Sequence, residues 1–170
     1  MSRPNKPVHK SSGKGQHDRH QPSDRNPSDR IDRQMIATIQ GLEDGLHTYN
    51  IRTLVEHAAT FGPYLRNQPL ETNQIRKFLD AINRLKAQLT GGETGAGNAR
   101  DDAALFANIE TDIVLLKPKL AYAAARQKAA KPLSDVMSAA IDKVRSLEDF
   151  ERLVQLIEST IAYHKAEGGK

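Results

Sequence analysis

Leu133-Ser134-Asp135-Val136-Met137-Ser138-Ala139-Ala140-Ile141-Asp142-Lys143-Val144 decides the fold class. Leu133, Val136, Met137, Ala140, Ile141 and Val144 recur at i, i+3, i+4, i+7, i+8 and i+11, which is one face of an α-helix. Pro132 opens the helix at its first position, where a missing N–H had no partner to lose. Downstream, Ser146 is placed to cap a last helix, with Asp149 three residues on as an approximate capping box. Phe150, Leu153, Val154, Ile157 and Ile161 form its buried stripe, and His164 falls on that stripe, so it reads as packed rather than catalytic.

The same logic runs back toward the N-terminus. Lys117-Pro118-Lys119-Leu120-Ala121-Tyr122-Ala123-Ala124-Ala125-Arg126 starts a helix with proline in its first turn. Lys119, Tyr122, Ala123 and Arg126 share one face, and Leu120, Ala121, Ala124 and Ala125 make the small apolar side. The preceding helix opens at Asp101 or Asp102 and carries Leu105, Phe106, Ile109, Ile113, Leu115 and Leu116. Another spans Thr72 to about Leu89, with Ile75, Phe78, Leu79, Ile82, Leu85 and Leu89 inward. Arg76, Lys77, Asp80, Asn83, Arg84 and Gln88 lie opposite, where Asp80 is one turn from both Arg76 and Arg84.

A helix beginning near Asn50 carries Ile51, Leu54, Val55, Ala58, Gly62 and Leu65, and Pro63 is expected to kink or end it near Phe61–Pro63. Its His57 reads as a surface or boundary residue. A short helix with Ile31, Met35, Ile36, Ile39 and Leu42 starts near a Ser28 cap and closes at Gly41 and Gly45. No stretch alternates with the period of two that a half-buried strand needs. The expected fold is all-α, a compact bundle of about five to six helices over residues 30–166. Residues 1–29 are expected to be a disordered basic tail, because apart from Met1 and the prolines Val8 is their only apolar side chain, and 167–170 a disordered C-terminus. The glycine-rich run 90–101 reads as a mobile connection. It lacks the Gly-Lys-Ser/Thr ending and the flanking strand of a phosphate loop.

Composition sets further bounds. The chain has 170 residues, enough for one domain with a sizeable core. No cysteine occurs, which excludes disulfides, thiolate metal sites and cysteine nucleophiles. No apolar run reaches membrane-spanning length and no secretory leader pattern appears, so a soluble cytoplasmic protein is expected. The net charge of +4 resides in residues 1–30, with seven Lys/Arg against three Asp/Glu; the remainder is neutral. Any nucleic-acid binding by the folded part must therefore use a local basic face. His47, His57 and His164 are scattered, and Glu110 and Asp112 point to different sides of their helix. No catalytic residue, metal site or cofactor is expected.

Two functions fit these residues. One is an RNA-contacting subunit, with Arg76, Lys77 and Arg84 on one helix and Lys117, Lys119, Tyr122 and Arg126 on another as its contacts. The other is a homo-oligomeric helical protein–protein adaptor without RNA binding, whose charges only keep it in solution.

The Gln-Ile-Arg-Lys-Phe run (74–78), the 117–126 helix, Leu133–Val144 and the terminal Ala-Tyr-His-Lys (162–165) together resemble one family. It is the small subunit of type III-A CRISPR–Cas effector complexes, the Csm complexes, and the likeness covers roughly residues 48–166. The resemblance implies a non-catalytic subunit of an antiviral ribonucleoprotein, stacked head to tail in several copies along guide RNA and target RNA. Its implied partners are other copies of itself, the backbone ribonuclease subunit and the large polymerase-like subunit. It also implies sequence-independent phosphate contacts through Arg76, Lys77, Arg84, Lys117, Lys119 and Arg126, with Tyr122 beside them. The basic leader, Pro63 and the glycine-rich loop depart from the family pattern and leave the leader's role open.

Overall fold

The computed structural model describes residues 31–68, 70, 72–90 and 99–168. The expectations for the tail, the Ser28 cap and most of the glycine-rich run lie outside those residues. Helix α1 covers Ile31–Gln40, and a 3-10 turn covers Leu46–Thr48. Then come α2 (Ile51–Asn67), α3 (Thr72–Thr90), α4 (Ala99–Val114), α5 (Leu116–Arg126), α6 (Lys131–Ile141) and α7 (Leu147–Ala166). No strand occurs among the described residues, as the sequence periodicity requires.

Helix α7 is the axis of the bundle. Phe150, Leu153, Val154, Leu156, Ile157 and Ile161 are all buried, a wider stripe than one neighbour could cover. Helix α2 covers most of it, and α3 and α4 touch its remaining sides. Helix α6, buried through Leu133, Val136, Met137, Ala140 and Ile141, carries α1 on one side and α5 on the other. At the α2–α7 crossing a Cβ built on Gly62 would stand 2.6 Å from the His164 nitrogen and 2.7 Å from the Tyr163 Cβ. Backbone meets backbone there because no side chain stands between them.

The α6–α7 connection is tied to the α1–α2 connection through one carboxylate. Asp149 is buried, and its Oδ1 accepts from the His47 backbone N–H at 2.7 Å and from His47 Nδ1 at 2.8 Å. A carboxylate only accepts, so Nδ1 carries the proton of that ring. Oδ2 accepts from the Arg145 N–H at 2.9 Å. Burial pushes the Asp149 carboxyl up, but the bonds from His47, Arg145 and Ser146 outweigh it and hold the group below the usual carboxylate value. Gly45 has φ +119°, and a Cβ on it would stand 2.6 Å from Asp149 Oδ1, so glycine is required there. Asp149 thus does not close the expected capping box with its carboxylate. Its N–H bonds the Ser146 hydroxyl, so the cap itself is present.

Several expectations need correction. Helix α2 does not end at Pro63 but continues to Asn67. One ladder bond is lost, while the burial of Phe61 and Leu65 and the close approach of Gly62 to α7 hold the helical path. Its buried face is Leu54, His57, Ala58, Phe61, Gly62 and Leu65, which leaves Ile51 and Val55 exposed. His57 is accordingly buried. Its Nδ1 is bonded to the Tyr49 hydroxyl and its Nε2 stands 3.3 Å from the Gln34 amide nitrogen. In the second half, Val114 and Leu115 are exposed at the α4–α5 break, and on α5 Ala121 and Ala125 face outward, so its packed side is Leu116 and Leu120.

Candidate nucleic-acid interface

Helices α3 and α5 lie side by side and leave a groove of about 600 Å³ between them. Helix α3 supplies Lys77, Phe78 and Ala81, and α5 supplies Leu116, Lys119, Leu120, Tyr122, Ala123 and Arg126. The spacing of each helix dictates this arrangement. Phe78 and Leu120 turn inward to the core, so Lys77 and Lys119, one residue earlier in each helix, fall on the rim. The floor is apolar and the rim carries three cations. No carboxylate lines the groove among the described residues.

Tyr122 is the unusual member, 64% exposed on a helix that buries leucines. Arg126, one turn on, holds it. Its guanidinium carbon stands 5.7 Å from the ring centroid and its Nη1 donates to the phenol oxygen at 3.3 Å.

The structure therefore brings together Lys77, Lys119, Tyr122 and Arg126, four of the seven residues singled out in the sequence. The other three stand apart. Arg84 is exposed on α3, two turns past Lys77 and outside the groove wall. Arg76 lies round the helix, beside a smaller cleft between α3 and α7 that also takes in His164 and Lys165. Lys117 is ion-paired with Asp142 at the end of α6, which fastens the start of α5. Neither Arg76 nor Arg84 pairs with Asp80 among the described residues.

Sequence reasoning missed the floor. Phe78, Leu116 and Leu120 read as core, and they are buried. That their outer edges also line a groove depends on how α3 and α5 are set against each other, which no single-helix pattern contains. Lys165 beside Arg76 was also missed, although it sits in the terminal Ala-Tyr-His-Lys run.

The buried titratable groups lie elsewhere and serve the fold. Burial lowers the His57 imidazole below its ordinary value against the opposing pull of Glu56, and burial raises the Tyr49 phenol. Burial, then Arg66 and Lys165, lower His164, which is 1% exposed. None of these lines the groove. Among the described residues no group of three or more His, Asp and Glu side chains is placed to hold a metal ion. No helix there is long and apolar enough to cross a membrane.

A family model described as Csm2 Type III-A matches residues 48–170. The chain belongs to this family. It is accordingly a small subunit of the type III-A CRISPR (Csm) complex, and α2 to α7, including both walls of the groove, fall within the match. No curated protein and no solved structure matches the chain.

Proposed function

We propose that this Csm small subunit is a non-catalytic RNA-contacting protein that binds phosphates through the α3–α5 groove. The observation that carries the reading is the convergence of Lys77, Lys119 and Arg126 from two helices on one groove with no carboxylate in its described wall. The described part of the chain has little excess charge to attract a polyanion at a distance, so the cations must act locally. Lys/Arg contacts to phosphate carry no sequence information, which suits a subunit that must accept any guide–target pair. Arg84 extends the positive face along α3, and Arg76 with Lys165 adds a separate basic patch round the helix, as secondary contacts. Lys117 is assigned to the fold instead, because Asp142 neutralises it.

Several copies stack along the guide RNA–target RNA duplex in this reading, beside the backbone ribonuclease and the large polymerase-like subunit, in the cytoplasm. Head-to-tail stacking requires two different surfaces on each copy. Ile51 and Val55 on α2 and Val114–Leu115 at the α4–α5 corner are exposed apolar pairs suited to that use. Residues 30–166 form the folded unit and 1–29 a basic leader.

The test is the salt dependence of RNA binding. Lys77→Ala with Lys119→Ala should weaken binding to a guide–target duplex regardless of sequence. Each lost phosphate contact should lower the slope of log affinity against log salt by roughly one unit. A double variant that melts like wild type and binds with unchanged slope would mean the cations are only solvated. The adaptor reading would then stand.

A further inference from the structure

The groove contains more than phosphate contacts need. A base-paired duplex offers a protein its phosphates, sugars and base edges, while the faces of its bases are covered by their neighbours. Cations suffice for such a surface. Yet this groove has an apolar floor of Phe78, Ala81, Leu116 and Leu120, and an exposed ring, Tyr122, at its side. Its volume of about 600 Å³ is in the range of sites that enclose small organic ligands, about 300–1,000 Å³. Tyr122 is turned outward, away from the buried Leu120, and is braced by Arg126.

We propose that the α3–α5 groove receives an unpaired nucleotide of RNA. Its base lies against the Tyr122 ring over the apolar floor, and its phosphates meet Lys77, Lys119 and Arg126. A nucleotide joins a flat apolar face to a nearby anion, and the groove joins the complements of both. Stacking on an aromatic side chain accepts any base, so it preserves the sequence tolerance of the phosphate contacts. A protein segment would have to be both acidic and apolar to satisfy the same wall. The inference rests on the RNA-binding reading but adds a separable claim: the groove distinguishes unpaired from paired nucleotides.

The experiment uses the full chain and one RNA in three forms: single strand, perfect duplex, and duplex with a single bulged 2-aminopurine. Wild type should bind the bulged duplex about tenfold tighter than the perfect one and quench the 2-aminopurine on binding. Tyr122→Ala should remove both effects and leave the salt slope unchanged, while Tyr122→Phe should retain them. Thermal melting of each variant checks that the fold is intact. Equal affinity for bulged and perfect duplex, unaffected by Tyr122→Ala, would overturn the inference and leave the phosphate reading standing. Loss of the preference in Lys77→Ala/Lys119→Ala but not in Tyr122→Ala would also overturn it, by assigning the preference to charge alone. If no form of the RNA binds, both readings fall together.

Discussion

Replacing Gly62 by alanine should destabilise the protein, although alanine is the better helix former. Two effects oppose each other at this position. In an exposed helix interior the change would stabilise by about 1 kcal/mol, because glycine has more backbone freedom to lose. Here the new Cβ would lie 2.6 Å from the His164 nitrogen, 2.7 Å from the Tyr163 Cβ and 2.9 Å from the Thr160 carbonyl oxygen. These are backbone and Cβ atoms of α7, so no flexible side-chain tip can swing away. Ordinary contact begins at 3.4 Å, so α2 and α7 must part by about half an ångström or more. Overpacking of this kind costs about 1–3 kcal/mol, and at this crossing it also loosens the most extensive helix pair of the bundle. We expect a net loss of about 1–2 kcal/mol, read as a fall in Tm of about 2–8 °C by circular dichroism. The urea midpoint should fall with an unchanged slope. Gly41→Ala is the control, since its Cβ would meet only Ala37 and Thr38 oxygens at 3.4 and 3.5 Å. It should stay within about 1 kcal/mol of wild type. A Gly62→Ala protein that melts above wild type would refute the direct α2–α7 backbone contact.

Two further outcomes concern buried polar groups. Asp149→Asn should lose about 2–4 kcal/mol at neutral pH, because one amide oxygen cannot serve donors that reach both carboxylate oxygens. The Asp149 carboxyl is held below its ordinary value in the fold, so its contribution is present above about pH 4 and fades as pH falls through the lowered value. Urea midpoints of wild type and variant should therefore converge toward acid, and a constant gap would contradict the assignment. His164 is also lowered, and an imidazole that the fold holds neutral binds its proton more readily when unfolded. Stability should then drop as pH falls below about 6.5, and His164→Leu should flatten that slope between pH 7.5 and 5.5. An equal slope in the variant would locate the acid sensitivity elsewhere, with His57 the next group to replace.

What could be read from the sequence divides along one line. Features within a single helix were legible. The Leu133–Val144 stripe, the start of α2 near Asn50, the Ser146 cap and the first-turn Pro118 follow from spacing and local hydrogen bonding. Features that depend on two elements were not. Pro63 looks like a terminator because the rule for proline concerns the helix alone, whereas the close approach of Gly62 to α7 and the burial of Phe61 supply what the helix loses. His57 looks like a boundary residue because its partners, Tyr49 and Gln34, come from a turn and from α1. Ile51 and Val55 look like core because periodicity gives a stripe but not which edge of it the neighbour covers.

The groove obeys the same division. Helix spacing alone put Lys119, Tyr122 and Arg126 on one face, and it put Lys77 beside Arg76 and one turn from Ala81. It could not choose between Arg76 and Lys77, which differ by about 100° around the α3 axis. The tertiary setting makes that choice. Phe78 packs into the core, α5 docks on the flank of α3 that carries Lys77, and Arg76 is left near α7 with Lys165. Lys117 is separated from Lys119 in the same way, since Asp142 at the end of α6 takes it up. A cationic residue on this bundle thus keeps its charge uncompensated when no carboxylate of a neighbouring helix reaches it. That condition holds for Lys77, Lys119 and Arg126 at one place, beside the most exposed ring of the described fold.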